Sequence, residues 1–282
     1  MTTYLPRVAA VHDMSGYGKC SLTEAIPVLS AAGVEVCPLP TAILSANTLF
    51  ENFTFFDYTP HIEAHLNHWR ELGLTFDCVY SGFLGSEKQI SFVQRLIGDF
   101  DSGVSVIDPV MGDNGNVIKT YTPDMCRAMS KLVAMADYAT PNITEACIMT
   151  GRSYAGEALD EAECRAICAD LAALGTKNPV LTGVHRGEDT LVNCGIEYGK
   201  GYFELEIERL PFGTHGTGDL FTSTMVAGLM RGHDLRASVD SAARFVYDCM
   251  VYGQDVPDIM DRGPAFEPLV YRLAGGLYRK ED

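Results

Sequence analysis

The chain has 282 residues, of which 47% are hydrophobic, and this suffices for one large α/β domain or two small ones. Its formal net charge is −16, from 21 Lys and Arg against 37 Asp and Glu, so we expect no binding to nucleic acid or to an anionic membrane. The N-terminal MTTYLPRVAAVHD lacks a secretory signal pattern, and no apolar run reaches the roughly 18 residues of a membrane span. These features predict a cytoplasmic protein.

Apolar runs alternate with amphipathic segments along the first half of the chain. The pattern predicts buried strands at PRVAAVH, VEVCPLPTAI, FDCVYSGF, VSVIDPV and DYATPN, and helices at CSLTEAIPVLSAAG and EKQISFVQRLIGDF. Such alternation is typical of parallel strands that are joined by right-handed crossovers. The first half is therefore predicted to form a parallel sheet covered by helices.

The second half continues with a strand at NPVLTG and a hairpin at DTLVNCGIEYGKGYFELEIERL. Helices are predicted from about residue 217 to 230 and from about 235 to 252. The sequence contains no Ser/Pro-rich linker, low-complexity tract or internal repeat. We therefore expect residues 1–282 to form a single domain.

One segment, 47–59, is too aromatic for an ordinary solvent loop. It contains Phe50, Phe53, Phe55, Phe56 and Tyr58. This composition is typical of a cover over a ligand or of a contact with a partner subunit, and it is equally typical of core packing.

Two other groups of residues have spacings that could bind a metal. Cys164 and Cys168 lie one helical turn apart, but the nine cysteines include no C-x-x-C pair that could complete a site, so reduced core thiols are the favoured interpretation. His61, His65 and His68 share one face of a predicted helix without the glutamate of an H-E-x-x-H motif. A solvated helix face is the favoured interpretation there.

Ligands of an open parallel sheet bind beyond the carboxyl ends of its strands. The residues that follow the predicted strands are acidic or small and polar, and we expect them to gather at one edge of the sheet. They are His12 and Asp13, Ser45 to Thr48, Ser81 to Phe83, Asp108 to Asp113, Thr140 to Glu145, and Thr182 with Gly183.

Oxygen ligands suited to Mg²⁺ occur in two of these stretches. Asp108 and Asp113 belong to DPVMGDNG, whereas Asn142 and Glu145 belong to TPNITE with the i,i+3 spacing of one helix face. Each stretch also has a structural interpretation, because Asp-Pro often forms a turn and Asn142 or Glu145 could cap a helix.

The stretch PFGTHGTGDLF carries the most specific chemistry of the chain. Gly216, Thr217 and Gly218 precede an apolar helical pattern, so their N–H groups can converge on an anion at a helix N-terminus. Asp219 could serve as a base beside that anion, or it could only complement the helix dipole. No G-x-x-x-x-G-K-[ST] motif is present, and these glycines do not follow the first strand, which argues against P-loop and dinucleotide-binding proteins.

Together, H-G-T-G-D at 215–219, D-P-V-M-G-D at 108–113, T-P-N-x-x-E at 140–145 and the N-terminal H-D-M-S-G-Y-G resemble the ribokinase superfamily, specifically its vitamin B6 kinase branch. The resemblance covers nearly the whole chain. It implies a three-layer α/β/α fold with a mostly parallel central sheet and ATP-dependent phosphorylation of the 5′-hydroxymethyl group of pyridoxal, pyridoxine or pyridoxamine. It also implies ATP and Mg²⁺ as cofactors, a homodimer and, in some members, a monovalent cation such as K⁺.

The resemblance further implies a role for each matching residue. Asp219 is the base, and Gly216, Thr217 and Gly218 form the anion hole. The residues implied at Mg²⁺ are Asp108, Asp113 and Glu145. Those implied at the nucleotide are Thr140, Asn142, Glu145, Thr182, Gly183 and Gly218. Those implied at the substrate are His12, Asp13, Ser15, Thr48, Phe83 and Asp219.

The sequence departs from the B6 kinase pattern at two places. It has His12-Asp13 near the end of the first strand, where many B6 kinases have a serine, and Phe83 where a tyrosine is usual. D-M-S-G-Y-G and the histidine of H-G-T-G are also similar to hydroxymethylpyrimidine kinases of thiamine synthesis, which are the alternative. Asp219 favours the B6 branch, since those pyrimidine kinases usually have cysteine there. A ligand-sensing protein without catalysis is a third hypothesis, and the retained Asp219 argues against it.

Overall fold

The computed structural model describes residues 4–100 and 102–279. Within these ranges most strands belong to one nine-stranded sheet, and a short hairpin of β6 and β7 stands apart. The strands are β1 (Arg7–Ser15), β2 (Glu35–Leu44), β3 (Phe55–Asp57), β4 (Phe76–Ser81), β5 (Ser102–Ile107), β6 (Gly112–Asp113), β7 (Asn116–Val117), β8 (Tyr138–Ala139), β9 (Asn178–His185), β10 (Thr190–Glu197) and β11 (Gly201–Glu208).

The central sheet has the order β11-β10-β9-β8-β5-β4-β1-β2-β3. Its six inner strands, from β9 to β2, pair in parallel. Antiparallel strands complete both edges, β10 and β11 at one and β3 at the other. The expected mostly parallel sheet and the hairpin after β9 are confirmed, whereas β3 was not predicted because only three residues form it and their side chains do not alternate between buried and exposed.

Helices connect the parallel strands, and polar caps define the start of several of them. Ser86, Thr122, Asn142, Asp160 and Asp234 each accept a hydrogen bond from an amide in the first turn of the following helix. The helices are α1 (Leu22–Ala31), α2 (Thr59–Glu71), α3 (Glu87–Asp99), α4 (Pro123–Ala134), α5 (Ile143–Thr150), α6 (Glu161–Leu174), α7 (Thr217–Met230), α8 (Leu235–Gly253) and α9 (Ile259–Arg262), with a 3₁₀ turn at Val270–Leu273.

Alternate residues of the inner strands enter opposite layers, as the period of two of a β-strand requires. Val8 and Tyr80 pack in a cluster with apolar residues of α1, α7 and α8. Ala9 and Val79 pack in a cluster with residues of α2 to α6 on the other face. The predicted three-layer α/β/α arrangement is therefore confirmed.

The parallel strands bring their carboxyl ends to one edge of the sheet, where α7 also begins. Tyr80, near the end of β4, is fully buried and directs its hydroxyl to the backbone oxygen of Asp219 at 3.4 Å and to the Ser223 hydroxyl at 3.2 Å. This contact joins the centre of the sheet to the start of α7. No helix in residues 4–100 and 102–279 combines the length and the apolar character that crossing a membrane requires.

Candidate active site

The loop before α7 is held in a conformation that requires glycine. Gly216 has a φ of 89° and precedes the first residue of α7. A Cβ atom on Gly216 would lie 2.5 Å from the carbonyl oxygen of Lys19 and 2.9 Å from Oε1 of Glu24, so a side chain does not fit. The first amides of α7 have no partner within the helix, and they begin at the carboxyl edge of the sheet where an anion can reach them.

Asp219 lies in the first turn of α7, and its side chain is 15% exposed. One carboxylate oxygen, Oδ1, has no hydrogen-bond partner. Burial raises the pKa of Asp219 to about 7, although the backbone N–H of Ser21 favours the charged form. A carboxyl group with such a pKa can accept a proton near neutral pH.

His12 lies beside this carboxylate on β1, with 4.0 Å between His12 Nδ1 and Asp219 Oδ1. Its ring is fully buried against Tyr80, with 4.3 Å between the ring centroids, and neither ring nitrogen has a hydrogen-bond partner. Burial lowers the pKa of His12 to about 3, so the imidazole is neutral and forms no ion pair with Asp219 at neutral pH.

Glu145 and Asn142 cap the N-terminus of α5. Asn142 Oδ1 accepts from the Glu145 amide at 2.9 Å, while Glu145 Oε2 accepts from the Asn142 amide at 2.9 Å. The other carboxylate oxygen accepts from the Met111 amide at 3.1 Å. The helix-capping interpretation therefore holds for both residues, and it fixes the Glu145 carboxylate in a buried position.

Asp108 is buried at the end of β5, where Thr222 Oγ1 donates to its Oδ2 at 3.4 Å. Thr222 also contacts the hydroxyl of Thr140 at 2.9 Å. Burial raises the pKa of Asp108, and the charges of Glu145 and Asp219 raise it further. Burial raises the pKa of Glu145 as well. Such a group of buried carboxylates fits a hard divalent cation, because the positive charge would stabilise their ionised forms.

Asp113 occupies a different environment from the other two predicted metal ligands. It is exposed at the end of β6, and both of its carboxylate oxygens accept hydrogen bonds from Asn114, at 2.9 and 2.8 Å. Its charge nevertheless raises the pKa of Glu145. Asp113 therefore affects the buried carboxylate of Glu145 through its negative charge.

A cavity of about 520 Å³ opens next to the start of α7. Its lining includes five residues that were predicted at the nucleotide or the anion hole: Thr140, Thr182, Gly183, Thr217 and Gly218. Asn142 and Glu145 lie outside its lining. The sequence analysis missed Asn193, His185, Phe212, Tyr247 and Met250, which also line the cavity. His185 ends β9, Asn193 belongs to the hairpin, Phe212 to the following loop, and Tyr247 and Met250 to α8. The pattern indicated only structural elements there.

The residues predicted at the substrate divide into two groups. Asp13 and Ser15 are buried next to Asp219, and the Asp13 carboxylate accepts from Ser21 Oγ at 2.7 Å and from Ser15 Oγ at 3.2 Å. Thr48 is exposed on its loop, and Phe83 is half-buried with its ring centroid 6.2 Å from that of Tyr121. Asn47, in the predicted stretch Ser45 to Thr48, was given no specific role, and its buried amide nitrogen has no hydrogen-bond partner among the described residues.

The cysteine pair and the three histidines whose spacings could bind a metal lie in different surroundings. Cys164 lies near Cys194 and Glu204, with ligand atoms within 4.8 Å of one another, a proximity that sequence spacing could not reveal. The Arg186 guanidinium contacts the sulfur of Cys164 at 3.8 Å and Oε1 of Glu204 at 3.0 Å, and so supplies a positive charge there. The interpretation of a solvated helix face holds for His61 and His68 of α2, which are exposed. His65 instead packs its ring against Trp69.

The aromatic segment is largely exposed. The side chains of Phe55 and Phe56 on β3 are 56% and 51% exposed, so simple core packing does not describe them. The ring centroids of Phe50 and Tyr17 are 5.3 Å apart, next to the loop that leads into α1. A cover for the active site and a contact with a partner subunit both stay open as roles.

The three-layer fold and the glycine-rich start of α7 are those of ribokinase-like small-molecule kinases. Residues 26–261 match the family described as phosphomethylpyrimidine kinase, and the chain belongs to this family.

Relatives with two different names are similar to the chain. The hydroxymethylpyrimidine/phosphomethylpyrimidine kinase of Haemophilus influenzae is 30% identical over 170 residues, which cover 58% of this chain and 61% of that enzyme. Pyridoxal kinase PdxY of Leifsonia xyli is 26% identical over 258 residues, which cover 86% of this chain and 88% of that enzyme.

A solved structure described as a putative phosphomethylpyrimidine kinase of Bacteroides thetaiotaomicron is 33% identical to the chain. It has a TM-score of 0.92 and covers 97% of this chain and 95% of its own. An orthorhombic form of that protein is described as containing pyridoxal and has a TM-score of 0.90, with 96% of each chain covered.

We expect Glu145→Gln to raise the Mg²⁺ concentration for half-maximal activity by about tenfold, because it removes a carboxylate from the buried acidic group. Glutamine preserves one accepted hydrogen bond but turns a donor toward a backbone amide, so about 1 kcal/mol of the free energy of unfolding should be lost. Metal titrations in a steady-state assay and chemical denaturation measure the two effects.

The control for Glu145→Gln is Glu163→Gln, which makes the same change in the exposed capping box of α6, formed with Asp160. That variant should leave the Mg²⁺ requirement unchanged. An equal Mg²⁺ requirement in both variants would assign Glu145 to helix capping alone.

We also predict that amide hydrogen exchange in residues 47–59 slows when substrate and a nucleotide analogue bind, as it does in lids that exclude water. Mass spectrometry of exchanged peptides, with α2 as an internal reference, measures the effect. Unchanged exchange at saturating ligand, together with a dimer in light scattering, would assign the exposed phenylalanines to a subunit contact.

Proposed function

We propose that this protein transfers the γ-phosphoryl group of ATP to the 5′-hydroxymethyl group of pyridoxal, pyridoxine or pyridoxamine. The observation that carries the proposal is the geometry of Asp219, a carboxylate with an unpartnered oxygen in the first turn of a helix whose amides face an anion site. The pyridoxal in the orthorhombic form of the Bacteroides relative and the pyridoxal kinase relatives support this substrate class.

Phosphoryl transfer depends mainly on positioning and on neutralising charge. In the proposed reaction Asp219 accepts the proton of the substrate alcohol as the alcohol oxygen attacks phosphorus. The amides of Gly216, Thr217 and Gly218 bind phosphate oxygens of ATP. Thr140, Thr182 and Gly183 line the adjacent cavity and would contact ATP.

Mg²⁺ would be held at the buried carboxylates of Asp108 and Glu145, with Asp113 contributing from the β6–β7 turn. When bound, the ion offsets the negative charge of the phosphates. Since the chain has a net charge of −16 and buries several acids around the site, ATP needs such compensation. A homodimer, a cytoplasmic location and a requirement for K⁺ stay predictions.

The second candidate function is phosphorylation of hydroxymethylpyrimidine. The family match and the Haemophilus relative favour it, and so does His215 in H-G-T-G, which the sequence shares with that group. Both substrates present a hydroxymethyl group on a nitrogen heterocycle, so the same base and anion site would serve either one.

We expect a B6 vitamer to be phosphorylated with a kcat/KM at least about tenfold above that of hydroxymethylpyrimidine, because the base is an aspartate. Parallel coupled assays of ADP formation with the three vitamers and the pyrimidine test this. A preference for the pyrimidine would establish the alternative. ATP consumption with none of them, despite normal folding, would favour a ligand-sensing protein.

We predict that Asp219→Asn lowers kcat by about 10²–10⁴-fold while ATP binding survives, because asparagine cannot accept the proton and the backbone amides are kept. The wild-type rate should rise as the pH increases through about 7. Steady-state kinetics and calorimetric titration with ATP measure these effects.

Stability provides an independent check on Asp219. The pKa in the folded state is raised, so the carboxyl group's contribution to stability is complete below its unfolded-state pKa and is lost as the pH increases through about 7. Asp219→Asn should therefore be more stable than wild type above this pH. The control Asp124→Asn alters an exposed aspartate in the first turn of α4.

Near-normal turnover in Asp219→Asn would limit Asp219 to complementing the helix dipole.

A further inference from the structure

Glu24 is a buried acid that the proposed reaction does not use. It lies in the first turn of α1 and is 0% exposed. Neither of its carboxyl oxygens has a hydrogen-bond partner. A buried carboxylate without a partner is costly, so its position in the fold calls for a physical account.

The carboxyl group of Glu24 packs behind the anion site. The distance from its Oε1 to the position of a Cβ atom on Gly216 would be 2.9 Å, and the carboxyl carbon would lie at 3.3 Å. Glu24 therefore packs against Gly216, the first residue of the proposed anion hole. Any charge on this carboxyl group lies directly behind the amides that face the phosphates.

One of the groups that face Glu24 carries a positive charge, and that charge is shared with another acid. Lys19 is the basic group among them, and its Nζ is paired with Glu267 Oε2 at 3.1 Å. The titratable groups that interact electrostatically with Glu24 lie on β4, α7, α8 and two loops of the described ranges. They are Lys19, Cys20, Tyr80, Asp219, Cys249 and Glu267.

These surroundings favour the protonated form of Glu24. Burial raises its pKa well above the usual range, and the charges of Asp219 and Glu267 raise it further, whereas Lys19 lowers it. As an uncharged acid, Glu24 fills the space behind Gly216 without opposing the partial positive charge at the start of α7.

We propose that Glu24 is a positioning residue of the anion hole, which it supports as an uncharged carboxylic acid, and that its ionisation at alkaline pH weakens phosphate binding at Gly216–Gly218. The inference rests on the proposed function, because that function assigns these amides to phosphate. The negative charge of the ionised form would cancel much of the attraction between the helix start and an anion.

The test measures ADP affinity by calorimetry as the pH is raised stepwise from about 7.5, where Asp219 is already mostly ionised. The wild-type affinity should fall by about tenfold or more with increasing pH. Glu24→Gln has the same shape without the acid, so it should bind ADP as wild type does near neutral pH and show no alkaline loss. An equal alkaline loss in both proteins would overturn the proposal.

A second variant keeps the fold intact, because Glu267 is a largely exposed side chain outside the active site. Since the charge of Glu267 raises the pKa of Glu24, Glu267→Gln should start the alkaline loss at a lower pH. Glu163→Gln is the matched control and should leave the pH profile unchanged. A profile unmoved by Glu267→Gln contradicts the assignment of the titration to Glu24.

Thermal unfolding tests the ionisation without using ADP. A raised folded-state pKa means that the stability contribution of Glu24 is complete below its unfolded-state pKa and is lost as the pH increases through the folded value. Glu24→Gln should thus become progressively more stable than wild type as the pH rises. If wild type does not bind ADP at any pH but this stability difference appears, the proposed function fails while the ionisation of Glu24 stands. If the difference is absent, the inference itself fails.

Discussion

The close approach of the α7 start to the first loop of the chain is the constraint on which the rest of the site depends. Gly216 passes so near to the carbonyl oxygen of Lys19 and the carboxyl group of Glu24 that a side chain has no room. This contact fixes where the amides of α7 begin, and it brings Asp219 beside His12 of β1. The anion site and the proposed base are therefore positioned by the packing of α7 on α1 and on β4.

The second property of the site is an excess of buried acids. Asp108, Glu145, Asp219 and Glu24 all have raised pKa values, and burial is the first cause in each case. The same physical effect has different consequences at different places. At Asp108 and Glu145 it would favour a divalent cation, at Asp219 it places proton acceptance near neutral pH, and at Glu24 it favours the uncharged acid next to the proposed phosphate site.

Consecutive residues at the start of α7 face different surroundings, which suits a reaction between two substrates. Thr217 and Gly218 line the cavity from α7, while Asp219 in the same turn faces His12 and Asp13. In the proposed reaction the loop would separate ATP from the alcohol and present the transferred group to both.

The sequence by itself indicated the parallel strands, the hairpin, several of the helices and the glycine-rich start of α7, because hydrophobic periodicity and glycine are local properties. It also placed most candidate residues at the correct edge of the sheet, since parallel strands share one carboxyl edge. Only the tertiary structure decided which side chains meet there. Burial, neighbouring charges and close approach arise from residues far apart in sequence, as with Glu24 and Gly216, Cys164 and Cys194, or the capping of α5 that holds Glu145 against Met111.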